Sequence, residues 1–274
     1  MLGALIIVFR EVIEAGLIIG IVLAATRGVS GRARWVTTGV VGGVLGAAVV
    51  ALFAGAISEA FEGAGQELFN ASVLGIAVIM LMWHNAWMAW HGREIAAEMR
   101  SVGTAVSEGA RPLTALAIVV GLAVLREGSE VVLFLYGIMA SGTSGMSLLV
   151  GGVLGVAAGG LFTALTYFGL LAIPTRYIFS VTSWLIALLA AGMAAQAVQF
   201  LNNGGLLLVL GRTMWDTSWL LSEGSIMGKL MHTLIGYTER PTELQLVVYI
   251  GTLFAMFLLM RFARYSPRQR AATV

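Results

Sequence analysis

The chain has 274 residues, of which 59% are hydrophobic and 11% charged, with a mean hydropathy of +0.93; ordinary soluble domains carry about 25% charged residues. So few polar side chains cannot coat a water-soluble globule, which excludes a soluble enzyme and points to an all-α integral membrane protein with membrane lipid as its solvent. The net charge of +2 comes from 16 basic and 14 acidic residues with no basic run or patch, so no nucleic-acid partner is expected, and zero cysteines exclude disulfides, iron–sulfur clusters and thiolate metal sites.

A membrane-crossing helix needs about 20 mostly apolar residues. Seven segments satisfy this, at 1–26, 35–57, 68–92, 112–140, 148–172, 176–202 and 243–262. The first is a span and not a signal peptide, because no basic stretch precedes its apolar run and no small-residue cleavage site follows it. It carries the charged string Arg10-Glu11-Val12-Ile13-Glu14. After the second span, the loop holds Glu59, Glu62 and Glu67 with no basic residue, either an entrance that attracts cations or a solvated acidic turn. In the third span Trp83, Trp87 and Trp90 recur at helical spacing and suggest an interfacial aromatic belt. His84 beside them is a structural hydrogen-bonding group or a member of an ion path.

The fourth span repeats the charged string as Arg126-Glu127-Gly128-Ser129-Glu130. The fifth carries Val150-Gly151-Gly152-Val153-Leu154-Gly155, the same string as Val41-Gly42-Gly43-Val44-Leu45-Gly46 in the second. Gln196 and Gln199 share a face near the end of the sixth span, where they line a vestibule or cap the helix. Between the sixth and seventh spans, Leu206 to Leu210 and Ile226 to Ile235 have the apolar spacing of surface or re-entrant helices, a place for a periplasmic partner to dock. Gly224 to Lys229 reads G-x-x-x-G-K and lacks the spacing and the following Ser or Thr of a phosphate loop.

Lysine and arginine set the orientation. With the N-terminus outside, eleven lie on the inner side (Arg27, Arg32, Arg34, Arg93, Arg100, Arg111, Arg176, Arg261, Arg264, Arg268 and Arg270) and three on the outer (Arg212, Lys229 and Arg240). The expected arrangement is N-terminus outside and C-terminus inside, as two inverted three-helix repeats (1–110 and 111–202), an outer segment (203–242), and a seventh helix with a cytoplasmic tail (243–274). Three spans per repeat invert the second half, the plan of many transporters, with substrate held near the midplane.

Six charges lie within spans, all in the two repeated strings. At ~2.5–3.5 kcal/mol each at a helix centre, they represent on the order of 15–20 kcal/mol that some interaction must offset. Positions i and i+3 share a helix face, so Glu11 with Glu14, and Glu127 with Glu130, each present paired carboxylates, and Arg10 and Arg126 lie one turn away. Two facing strings total −2, which a multivalent cation would balance. Carboxylates suit Mn²⁺, Mg²⁺, Ca²⁺ and oxidised iron alike. An intramembrane salt-bridge pair and a proton relay are the competing readings.

These residues resemble the oxidase-dependent, high-affinity iron permease family, with its bacterial EfeU-type members: an R-E-x-x-E string stands in the first and fourth of seven spans. Glu62-Gly63 and Gln66-Glu67 are similar to the family's acidic loop, and Trp215-Asp216-Thr217-Ser218-Trp219 to an outer segment of bacterial members. The acidic cluster of fungal members near the last span has no clear counterpart, with only Asp216, Glu223 and Glu239 in that region. The resemblance implies a permease, not an enzyme, that moves iron, as Fe³⁺ or as Fe²⁺ with oxidation, across the cytoplasmic (inner) membrane. Glu11, Glu14, Glu127 and Glu130 are then the metal ligands, Arg10 and Arg126 their charge partners, Glu59, Glu62 and Glu67 the entrance, and His84, Gln196, Gln199 and Asp216 further path residues. Iron is its substrate, no organic cofactor is implied, and a periplasmic iron-binding or ferroxidase protein is the implied partner. Transport of Mn²⁺ or Pb²⁺, and a non-transporting anchor for a redox partner, are the alternatives.

Overall fold

The computed structural model describes residues 1–60, 66–169, 175–207 and 209–265. They form eight α-helices: α1 (Leu2–Ala25), α2 (Arg32–Ala60), α3 (Gln66–Ser107), α4 (Thr114–Ala140), α5 (Gly145–Tyr167), α6 (Thr175–Asn203), α7 (Ile226–Ile235) and α8 (Glu243–Tyr265). Stretches of α2, α3, α5, α6 and α8 are long and apolar enough to cross a membrane. The 24-residue α1 and 27-residue α4 are of similar length, but each carries three charges at mid-helix. This is a multi-pass, all-helical membrane protein.

Helix ends differ from the sequence expectation where amphipathic polar stretches continue a helix. The third segment was expected to end at 92, but α3 runs on to Ser107 because Val102 and Val106 stay buried, with Gly103 packed against Ala25 of α1. The fifth ends at Tyr167, turned by Gly169 at φ +72°; the expected remainder at 170–172 lies outside the described residues. In the outer segment Ile226–Ile235 forms α7, started by the Ser225 hydroxyl accepting from Gly228 N at 2.9 Å and ended by Gly236 in the left-handed region. Leu206, Leu207, Val209 and Leu210 are not helical, contrary to expectation. That segment instead folds back on itself through Met214 N to Pro241 O and Thr217 N to Glu239 O, both 2.9 Å.

Lipid tails offer helices no hydrophobic incentive to associate, so close backbone packing through small residues must hold the bundle. Two seams show this. Where α2 crosses α4, a Cβ on Gly39 would lie 2.6 Å from Ala117 O, and one on Gly43 would lie 2.7 Å from both Gly121 O and Val124 Cβ. Where α5 crosses α1, a Cβ on Gly155 would lie 2.7 Å from Val8 Cβ and 2.9 Å from Leu5 O, and one on Gly159 would lie 2.9 Å from Phe9 O. Gly42 and Gly152, one residue off these faces, look into open space.

Two apolar clusters fill the interior. One joins Ala4 and Ile7 of α1 to Leu74 and Leu81 of α3, Phe134 and Ile138 of α4, Ile186 and Ala190 of α6 and Met256 of α8. The other joins Val22 of α1 and Val106 of α3 to Leu116, Val120 and Val124 of α4. Along both α1 and α4 the charged string falls between the clusters, so a polar layer is sandwiched between two dry ones.

The seam geometry separates neighbouring glycines. Gly155→Leu should lower the stability of the detergent-solubilised protein by about 1–3 kcal/mol, the usual cost of overpacking, or abolish folded yield. Gly152→Leu should leave the thermal unfolding midpoint unchanged. Equal effects of the two substitutions in a thermal-shift measurement would contradict this packing.

Candidate metal centre

The two charged strings meet. In α1, Arg10 Nε lies 2.9 Å from Glu14 Oε1, one turn on, and its Nη1 lies 3.9 Å from Glu11 Oε1. In α4, Arg126 Nε lies 3.2 Å from Glu130 Oε1 and 4.0 Å from Glu127 Oε1. The i, i+4 spacing of a helix places each arginine beside its second glutamate.

His84 of α3 joins the two strings. Its Nε2 lies 3.6 Å from both Glu11 Oε2 and Glu14 Oε2, while its Nδ1 contacts Glu130 Oε2. The ring packs edge-on to Phe134, with centroids 6.2 Å apart. One donor atom from each of Glu11, His84, Glu127 and Glu130 falls within 4.8 Å of the others, so three carboxylates and an imidazole converge on one point. Glu14 stands beside this set, tied to Arg10 and facing His84.

Burial decides what these groups need. Arg10, Glu11, Glu14, His84 and Glu127 are each no more than 3% exposed. Neither oxygen of Glu11, nor Oε2 of Glu127, accepts a hydrogen bond among the described residues. A buried ionised carboxylate without a partner is strongly unfavourable, and such groups are normally paired or coordinate a metal. Four carboxylates against two arginines leave −2 when His84 is neutral, and the orphaned oxygens face the centre of the cluster. A multivalent cation satisfies both the charge and the oxygens.

The two arginines are not equivalent. The Arg10 side chain is 2% exposed, that of Arg126 38%. Arg126 stacks over the Trp87 ring, 4.0 Å from its centroid, a cation–π contact. Trp87 thus packs against the charged layer, while Trp83 and Trp90 face outward. Just beyond His84, Asn85 accepts a hydrogen bond from the Ser183 hydroxyl at 2.8 Å, fixing α3 against α6 at this level.

The remaining expected residues lie apart from the cluster. Glu67 is exposed in the first turn of α3; Glu62 and the side chain of Glu59 lie outside the described residues. Gln196 contacts His232 of α7 through its amide nitrogen, so it joins α6 to the outer segment, whereas Gln199 is exposed. Asp216 is held below the usual carboxylate range by hydrogen bonds from the Ser218 hydroxyl and backbone, with Arg240 adding to them. Its Oδ2 accepts from Arg240 Nε at 2.9 Å; it is an ionised, already paired surface group. His84 continues the buried face of α3 made by Leu74, Ala77 and Leu81, a spacing already present in the sequence, and this turns it toward the charged strings.

Relatives point the same way. The chain is 32% identical over 249 residues to a protein named ferrous iron permease EfeU from Escherichia coli O6:H1, covering 89% of each chain. It is 28% identical over 258 residues to the protein of that name from Yersinia pestis, covering 93% of this chain and 91% of the relative. No solved structure matches it. Residues 1–266 match the Iron permease FTR1 family, so a helical bundle with a buried carboxylate cluster has its place: the chain belongs to that family of permeases and is not an enzyme.

Proposed function

We propose that this chain carries iron inward across the cytoplasmic (inner) membrane, binding it between Glu11, His84, Glu127 and Glu130, with Glu14 as an exchangeable fourth carboxylate. The convergence of three carboxylates and one imidazole in a largely buried layer carries this reading. Arg10 and Arg126 pair with the glutamates in the empty site and give them up as the cation arrives. Oxygen donors suit both iron oxidation states, but an imidazole and a net −2 favour Fe²⁺, since the divalent ion leaves the buried layer neutral. The relatives' names also specify the ferrous ion. Without a nucleotide-binding motif, the drive comes from the membrane potential, protons or a partner's redox step. Each positive charge moving inward gains ~2.3 kcal/mol per 100 mV.

The architecture that goes with this function is seven spans, α1 to α6 and α8, with the N-terminus outside and α1–α3 and α4–α6 as inverted repeats. The glycine seams support the repeat. Gly43 meets Gly121, Val124 and Leu125; Gly155 meets Leu5, Val8 and Phe9. The shift that carries Arg10 onto Arg126 carries Leu5, Val8 and Phe9 onto Gly121, Val124 and Leu125. The equivalence thus pairs Gly43 with Gly155, whereas the shared strings would pair it with Gly152; the string match is off by nearly one helical turn. The outer segment 203–242, with α7 against α6 and α1, is the surface for a periplasmic iron-binding or ferroxidase partner, and the acidic loop with Glu59, Glu62 and Glu67 is the entrance.

In cells depleted of their own iron transporters, Glu11→Gln and Glu127→Gln should each lower radioactive iron uptake at least tenfold at equal membrane abundance. His84→Ala should do the same, while Asp216→Asn and Gln199→Ala should leave uptake within twofold. Full uptake by both glutamate variants would refute the site. A membrane-impermeant ferrous chelator should abolish uptake if Fe²⁺ is the species accepted; undiminished uptake from a ferric complex in its presence would assign Fe³⁺ instead.

A further inference from the structure

A cavity of about 520 Å³ lies between α1, α3 and α5. Leu17 and Ile21, one and two turns beyond Glu14 on nearly the same face of α1, form part of its wall, and Arg27 and Arg100 stand at its far end. Its near end lies at Ile13 and Gly16, on either side of Glu14 in α1, with no glutamate in its wall, and it runs toward the side that the basic residues mark as inner. The Thr163 hydroxyl of α5 is buried there with no hydrogen-bond partner among the described residues, pressed against Gly16. It offers an oxygen to a cation leaving Glu14.

The seam of α2 on α4 is packed where the seam of α5 on α1 is hollow. The helix shifts given above carry Gly20 onto Tyr136, Ile21 onto Gly137, Gly55 onto Tyr167 and Ala51 onto Thr163. Each seam thus sets one tyrosine of the second half against one glycine of the first. In the outer pair, the Tyr136 hydroxyl of α4 lies 2.9 Å from where a Cβ of Gly55 would stand and donates to Ala51 O at 3.4 Å. Next to it, Gly137 is buried beneath Met193 and Ala77, whose atoms would lie 2.6 and 2.7 Å from a Cβ there. In the inner pair, a Cβ on Gly20 would meet only Tyr167 Cδ2, at 3.8 Å. Outside, the tyrosine leaves no room for a methyl group on its glycine; inside, it leaves room for one at ordinary contact distance, beside the cavity.

We infer that Tyr136 seated on Gly55 is the closed outer gate of the ion path, that Tyr167 and Gly20 form the matching inner gate, here open, and that Thr163 is an oxygen ligand on the exit. This rests on the inverted orientation and midplane site proposed above. In alternating access, Tyr167 closes onto Gly20 as Tyr136 leaves Gly55.

The absence of native cysteines allows a direct test on the full chain in oriented membrane vesicles, with a membrane-impermeant methanethiosulfonate reagent applied to either side. Thr163→Cys should be modified at least tenfold faster from the inner side than from the outer. Ala51→Cys should resist the outer reagent until Tyr136→Ala is added, which should raise its rate at least tenfold. Gly20→Phe, whose side chain extends into the cavity, should slow inner modification of Thr163→Cys at least tenfold, and this arm decides the matter if Tyr136→Ala fails to fold. A Thr163→Cys rate indifferent to Gly20→Phe, or an Ala51→Cys rate indifferent to Tyr136→Ala, overturns the gates while leaving the iron site to its own uptake test. Modification of Thr163→Cys from the outer side alone overturns the orientation beneath them.

Discussion

Four carboxylates and two guanidinium groups gathered in one layer of a lipid-solvated bundle, all but Arg126 and Glu130 fully buried, constrain everything around them. A low-dielectric interior penalises each ion, and an ion pair recovers that cost only where geometry and extra hydrogen bonds are good. Here the pairs are incomplete: Arg10 holds Glu14 closely and Glu11 only at 3.9 Å, and Glu127 is 4.0 Å from Arg126. With His84 neutral and every carboxylate ionised, the layer carries −2 and its oxygens are not fully satisfied without a cation. That shortfall suits a permease, since a site perfectly neutralised by its own arginines would have no reason to admit an ion.

Holding such a layer in register requires backbones that cannot slide. The glycine seams of α2 on α4 and α5 on α1 bring helix axes close enough that a single methyl group would collide with a neighbouring carbonyl, as at Gly39 and Gly155. Both seams use α1 or α4, the two helices that carry the charges, so each charged helix is clamped by a smooth partner from the opposite half. The dry clusters around Phe134 and Val120 close the layer on either side.

Much of this was legible in the sequence because charge is scarce there. With 30 charged residues in 274, six inside apolar spans stand out, and their i, i+3 and i+4 spacing already fixes which carboxylate faces which arginine. Helices were legible from apolar length, although α3 outran its expected end because Val102 and Val106 keep a buried face within a polar stretch. His84 was harder to see, because a single histidine in a span carries no spacing of its own; only the buried face of α3 gives it a direction. The charged strings suggest a repeat in the sequence; at the seams, however, Gly43 and Gly155 make the matching contacts, three residues away from the alignment of the Val-Gly-Gly-Val-Leu-Gly strings. The unequal exposure of Arg10 and Arg126, and the hollow beside Gly20, depend on tertiary packing that no local pattern encodes.

Crystals of the protein grown with iron, measured above and below the iron absorption edge, locate the ion relative to Glu11, His84, Glu127 and Glu130. One strong anomalous peak is expected inside the bundle, between α1, α3 and α4 and within bonding distance of the His84 ring, and it should disappear in His84→Ala together with Glu127→Gln. Iron bound only at the outer surface, with no peak in the charged layer, would contradict that placement.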